Sequence, residues 1–466
     1  MDMQSLLQQA ARLAADYRAG VDDSAAALPY AAMRDAFDSP TPERGAPAGE
    51  VIDDLARRST PGLRAMADPR FFGWVIGASH PVGVAADWLT SAWGQNAGNH
   101  EASPAAAAAE TVAAKWLLDL LDLPRDASVG FVTGATIANF VCLAAARGAV
   151  LRQAGWNVEA NGLFGAPPIN VVIGDDAHTS VFSALQFLGL GHDRLLRVPT
   201  DAQGRIVPDD VVRVFAGCSG PTIAIAQAGQ LNTGAFDPIE TVVAAGRQAG
   251  AWVHIDGAFG LWARACPETA HLAAGFEAAD SWATDGHKWL QTPYDCGYAI
   301  VRDAEAHRSA MTIAASYLPP VAEGDRDPSH YVPELSRRAR GFATWAMIRH
   351  LGRDGIAAMV AEHCRLARVL ADHLAHEPGV HVLNDVVLNQ VLVRFGGRDV
   401  DELADQATLQ TIRRVQADGT CFAGGARWRG RWVLRLSVIS APTTEADIVR
   451  ASDAISAAWR AVRGAN

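Results

Sequence analysis

The chain has 466 residues, of which 49% are hydrophobic and 20% charged, and its formal net charge is −11. This composition excludes a disordered chain, and the length suits two or three domains or one large α/β domain with a satellite. The acidic balance argues against nucleic acid as the main partner, because there is no basic excess to neutralise phosphates.

The opening residues, MDMQSLLQQAARLAADYRAG, lack a basic start followed by an apolar core, so they do not read as a secretory signal. They predict a helix to about Ala19, and the Pro- and Gly-punctuated residues through Gly49 predict an extended arm within residues 1–69. The segment from Phe71 to Asn99 is aromatic, Gly-rich and nearly uncharged, which suggests a pocket or interface lining. From Pro104 to Leu123 a helix is expected. Short Val/Ile runs then alternate with helical ones, giving strands at Val129–Thr133, Asn170–Gly174, Arg194–Val198, Thr222–Gln227, Trp252–Asp256, Ser281–Ala283 and Gly297–Val301. Continuous apolar strands between helices predict a mainly parallel sheet covered on both faces, with ligands at the carboxyl ends of its strands. This large domain is set at residues 70–320. A second unit, 321–466, reads as a small α+β domain. It has a long helical stretch from Glu334 to about His376 broken near Gly352, strands at Val380–Leu383, Asn389–Phe395 and Trp432–Val438, and helices near Asp401–Asp418 and Thr444–Arg463.

The longest charge-free stretch, Val214–Phe236, is too interrupted by polar residues, Gly and Pro to span a bilayer, so no membrane role is expected. Six cysteines (142, 218, 266, 296, 364 and 421) form no CxxC pair and read as reduced thiols of a cytoplasmic protein; no metal site is expected.

Four stretches, each just after a predicted strand, carry chemistry. Only two of the 40 basic residues are lysines, Lys115 and Lys288, and a lysine retained against such a bias points to chemistry closed to arginine, such as imine formation. Lys288 sits in SWATDGHKWLQTPYDCGYAIV between His287 and Trp289, where removal from water disfavours its charged form and frees an amine nucleophile. In AWVHIDGAFG, Asp256 emerges at a strand end where a buried carboxylate needs a cation such as a protonated pyridine, and Ala258 is small enough for a flat ring to lie close. In GFVTGATIANF, Ala135 and Thr136 open a helix whose free N–H groups form an anion site. His178, in DDAHTSVFSAL, could stack on an aromatic cofactor. Taken singly, each has an ordinary reading: a snorkelling lysine, a capping aspartate, a common βα turn, a helix-start histidine. Together they make the constellation of a pyridoxal-phosphate enzyme.

On HKWL (287–290) and HIDGAFG (254–260), supported by VTGATIANF, DDAHTSVFSA and RLSVISAPTTEADI (435–448), the chain resembles the group II pyridoxal-phosphate-dependent amino acid decarboxylases. That family includes the aromatic-L-amino-acid and glutamate decarboxylases and has the fold type I, aspartate aminotransferase-like architecture. The resemblance extends from about Phe71 to Ile448. It implies that Lys288 holds the cofactor covalently, Asp256 pairs with the pyridine nitrogen, Ala258 packs on the ring and His178 stacks on the other face. It implies phosphate contacts from Ala135 and Thr136 with His287 nearby, and a homodimer. It also places Tyr317, in AASYLPP, where the family's tyrosine returns a proton after carbon dioxide leaves. The chain departs from the family where Asp285-Gly286 replaces the commoner Asn-Pro or Asn-Ala, where Ile137 replaces a frequent acid, and where Gln227 replaces a frequent Thr. The resulting expectation is decarboxylation of an L-amino acid, aromatic side chain favoured through Phe72, Trp74, His80 and Trp93. The alternatives are an aldehyde synthase, transaminase or carbon–carbon lyase using the same cofactor, and a non-catalytic α/β scaffold.

Overall fold

The computed structural model describes residues 2–21, 27–312 and 326–464. Its larger sheet has seven strands: β1 (Ser128–Val132), β2 (Asn170–Gly174), β3 (Leu196–Val198), β4 (Thr222–Gln227), β5 (Trp252–Asp256), β6 (Ser281–Asp285) and β7 (Gly297–Val301). They lie in the order β1-β7-β6-β5-β4-β2-β3 and are parallel except for β7, which is antiparallel to both β1 and β6. Every residue of β1, β4, β5, β6 and β7 is buried, which is why these strands read as unbroken apolar runs without alternation. Helix Ala135–Gln153 covers one face, and helices Pro208–Ala216 and Ile239–Gln248 pack on the other. Helix Ala135–Gln153 alone among the described residues is long and apolar enough to cross a membrane, and it is mostly buried inside this fold.

Strand register aligns the ends of the central strands. Gln227 is paired with Asp256, and Asp256 with Ala283, so the carboxyl ends of β4, β5 and β6 fall along one edge.

The smaller sheet is antiparallel, in the order β10-β11-β9-β8, from β8 (Val380–Val382), β9 (Gln390–Phe395), β10 (Gly424–Trp428) and β11 (Arg431–Ser437). Helices Glu402–Asp418 and Glu445–Arg463 and the end of Arg340–Ala375 bury Leu370, Leu374, Val393, Leu434, Ile448 and Trp459 against it. The long helix breaks at Gly352 (φ 63°), a left-handed residue that glycine adopts without a Cβ penalty.

Several expectations change. The arm is helical at Tyr30–Phe37 and Ala48–Ser59, and the Phe71–Asn99 stretch contains helix Pro81–Trp93, whose near-uniform apolarity hid its period. Residues 334–339 precede the long helix, which begins at Arg340. There the Arg337 side chain reaches the carbonyls of Ala97 (2.9 Å) and Phe131 (2.7 Å) and the Glu110 carboxylate (2.6 Å). Strand β10 (GGARW) looks like a glycine-rich loop; it exists through its pairing with β11 across Arg429-Gly430, both of positive φ, as a two-residue hairpin turn requires.

The Arg337–Glu110 pair is fully buried and joins three segments beneath the large sheet. Glu110→Ala should cost about 3–5 kcal/mol, because it leaves a guanidinium uncompensated in the interior. Breaking the exposed Arg365–Glu362 pair should cost at most about 1 kcal/mol. Urea unfolding of the two variants, side by side, measures the difference.

Candidate active site

The strand edge delivers its groups one at a time. Asp256 ends β5 almost fully buried, and its Oδ1 accepts a hydrogen bond from the Ala258 N–H at 3.3 Å. Burial pushes this carboxyl above the ordinary carboxylate range, while His178 and Lys288 pull it back down. Asp256 has no ion-pair partner within salt-bridge distance among the described residues.

Lys288 lies beyond β6 in the loop that leads to β7. Its Nζ is 2.8 Å from Asp285 Oδ2 and 6.0 Å from the centre of the Phe259 ring. The other oxygen of Asp285 accepts from the Ala135 N–H at 2.6 Å, the first amide of helix Ala135–Gln153. That helix start has no side-chain cap, and the Thr136 N–H has no acceptor among the described residues. The ring of His287 packs against Tyr294 with centroids 4.3 Å apart, its Nδ1 accepts from the Cys296 N–H at 3.4 Å, and burial lowers its pKa.

His178 caps helix Thr179–Phe187. Its Nδ1 accepts from the Ser180 N–H at 3.2 Å, which leaves the proton of the neutral ring on Nε2. Burial lowers its pKa, so the neutral form prevails at physiological pH. The His178 N–H donates to Gln227 Oε1 at 3.0 Å, and the Gln227 N–H donates to Asp237 Oδ2 at 2.6 Å. Asp237 also accepts from Ile206 N–H at 2.8 Å, and its burial pushes the carboxyl up to about 7.

His178, Gln227, Asp256, Ala258, Phe259 and Lys288 line one cleft of about 300 Å³. The donor set fits pyridoxal phosphate: an amine for the aldehyde, a carboxylate without a salt bridge among the described residues for the ring nitrogen, the unclaimed Thr136 amide for the phosphate, and a cleft lined by both His178 and Ala258 for a flat ring. Lys115 is exposed on helix Pro104–Leu120, away from this cleft. Tyr317 lies outside the described residues.

The expected aromatic lining is not assembled. Phe72 is buried in the core of the small domain, Trp74 is half exposed against Phe71 and Phe422, His80 packs on His350, and exposed Trp93 meets Phe342. All four belong to a segment whose backbone, not its rings, approaches Lys288. Two residues escape a reading of the sequence. Asp237 closes the chain of bonds behind His178, and its only sequence signal is an acid ending the apolar stretch TGAFD. The side chain of Arg435, on β11, has no hydrogen bond or ion pair among the described residues; burial pulls its pKa down to about 10, and its charge bears on His178. Its signal is an arginine between two buried leucines, Leu434 and Leu436. Among the described residues no group of His, Cys, Asp and Glu is placed to hold a metal.

Comparison with known proteins gives a consistent result. The pyridoxal-dependent decarboxylase conserved domain matches residues 30–395. Tryptophan decarboxylase 1 of Oryza sativa subsp. japonica is 28% identical, with 94% of this chain and 90% of that protein covered. Phenylacetaldehyde synthase of a Rosa hybrid cultivar is 26% identical, over 87% of this chain and 83% of that protein. The crystal structure of Oryza sativa TDC with PLP and tryptamine superposes with a TM-score of 0.91 at 25% identity, covering 99% of this chain and 98% of that one.

Borohydride reduction of the cofactor-loaded protein followed by peptide mapping should label Lys288. A label on Lys115 would remove Lys288 from the site.

Proposed function

The chain belongs to the pyridoxal-dependent decarboxylase family and is a pyridoxal-phosphate-dependent amino acid decarboxylase, and we propose that it converts an aromatic L-amino acid to its amine and carbon dioxide. The observation that carries this reading is the convergence of Lys288, Asp256 and His178 on one cleft. Relatives named for tryptophan and tyrosine decarboxylation support the aromatic substrate, as do Phe259 and Leu231 in the cleft wall.

Bound pyridoxal phosphate supplies an aldehyde for the substrate amine and a ring that takes up the electron pair left on the α-carbon when carbon dioxide departs. The residues do the rest. Lys288 offers the amine that holds the cofactor. Asp256 would keep a proton on the ring nitrogen, which would compensate its buried charge. His178 and Ala258 would confine the ring, and Ala135, Thr136 and His287 would hold the phosphate. Arg435, a cation without an ion pair among the described residues, is available to orient a substrate carboxylate, and orientation decides which bond at the α-carbon breaks. Tyr317 donates the proton that replaces carbon dioxide.

In this reading the protein is a homodimer of the cytoplasm. Helix Met3–Ala19 buries none of its residues, and Leu7, Tyr30, Val51, Leu55, Trp88 and Trp93 are exposed. A helix of this kind needs packing to persist, and a second copy of the chain would supply it. The free cysteines suit a reducing compartment. Sedimentation at micromolar concentration should report a dimer, and a folded, active monomer would contradict it.

Assays of amine and carbon dioxide release over a panel of L-amino acids test the substrate. Relatives named phenylacetaldehyde synthase keep the aldehyde-forming outcome as the second reading. Tyr317→Phe should lower amine release by about 10²–10⁴-fold, the span of a positioned acid, with cofactor binding intact and some aldehyde formed in oxygen. An unchanged amine rate would pass the donor role to His178 or to a residue of the partner subunit.

A further inference from the structure

We propose that Asp285 is a built-in counter-anion that occupies the phosphate end of the cleft and sets how tightly the cofactor is held. The inference rests on reading the cleft as a pyridoxal-phosphate site. Its carboxylate takes up three groups that this cofactor needs: the Ala135 N–H at 2.6 Å, the Lys288 Nζ at 2.8 Å and, more loosely, His287 Nε2 at 3.7 Å. An incoming phosphate is drawn to the same helix start and meets a negative charge already bound there.

The carboxylate has little room to withdraw. Asp285 is the last residue of β6, almost fully buried, with its N–H bonded to Ala258 O (3.0 Å) and its carbonyl to Trp262 Nε1 (3.0 Å). A Cβ on Gly134 would stand only 3.2 Å from its Oδ1, so the carboxylate lies directly against the turn that forms the cradle. The side chain can rotate, but the backbone that carries it is pinned on both sides. Loading therefore requires the carboxylate to share or surrender the Ala135 amide and to release Lys288. An ammonium held in an ion pair has no lone pair to offer an aldehyde. Asparagine at this position would keep the acceptor for Ala135, remove the charge and present donors to an anion.

The phosphate is what distinguishes this role from a purely structural one, so the probes are pyridoxal phosphate and phosphate-free pyridoxal. Both are titrated into dialysed protein and followed by quenching of tryptophan fluorescence. Asp285→Asn should tighten pyridoxal phosphate by about tenfold or more while pyridoxal changes by less than about twofold, because only the former carries the like charge. Asp285→Ser, which keeps an acceptor without charge, should shift the ratio of the two affinities in the same direction. An unchanged or reduced ratio in both variants, with native circular dichroism, would overturn the proposal, as would equal tightening of both probes. Wild-type protein that binds neither probe would instead overturn the reading of the cleft on which the inference rests.

Discussion

A carboxylate held at the end of a fully buried strand, with no ion pair of its own, is the constraint around which the large domain is organised. Asp256 reaches that position because β5 is central in the sheet and its register to β4 and β6 is set by unbroken apolar runs. A one-residue slip would turn Asp256 into the opposite face. Burial makes its charged form costly, and the nearby Lys288 ammonium only partly relieves that cost. A site left with a deficit of positive charge in an apolar wall is prepared for a cationic heteroaromatic ring, and the sheet would be better served by an apolar residue if no such ligand were meant to arrive.

The loop bearing Lys288 is held from three sides. Gln291 receives the Ala78 N–H at 2.8 Å and donates to Lys288 O (3.0 Å) and Ile439 O (2.7 Å), tying the N-terminal segment and the small domain to the lysine. Trp289 donates to His363, whose other nitrogen meets Ser440 O. The approach is close enough that a Cβ on Gly77 would lie 2.4 Å from Lys288 O, so only glycine lets this segment pass. These bonds couple the lysine to the packing between domains. A change at the domain contact is thus felt at the cleft, and the first arm helix joins the same network where Arg18 donates to Ala78 O (3.0 Å).

Much of this was legible in the sequence. The alternation of Val/Ile runs with helices yields the sheet, and HIDGAFG and HKWL locate the two residues whose chemistry is most restrictive. Asp237 was not legible because its importance lies in a bond across 10 residues of loop to Gln227, and Arg435 because its nearness to His178 arises only when the small domain folds against the large one. Trp74 and Trp93 misled for a related reason: an aromatic residue declares its apolarity but not which surface it will meet. Helix Pro81–Trp93 was obscured because it is apolar on most sides, and its Trp88, Leu89 and Trp93 remain exposed in the single chain.

The near absence of lysine sharpens the contrast between structural and chemical cations. Arginine makes the buried contacts, as at Arg337 with Glu110 and Arg394 with Asp405, where its fork can satisfy a carboxylate and several carbonyls at once. Lys288 likewise meets a carboxylate, Asp285, and a guanidinium there would satisfy it at least as well. The retention of an ammonium at that one half-buried position is explained by a property arginine lacks, an amine that can give up its proton and bond to carbon. The ion pair with Asp285 is therefore best understood as the resting state of a group whose working state lies elsewhere in the same cleft.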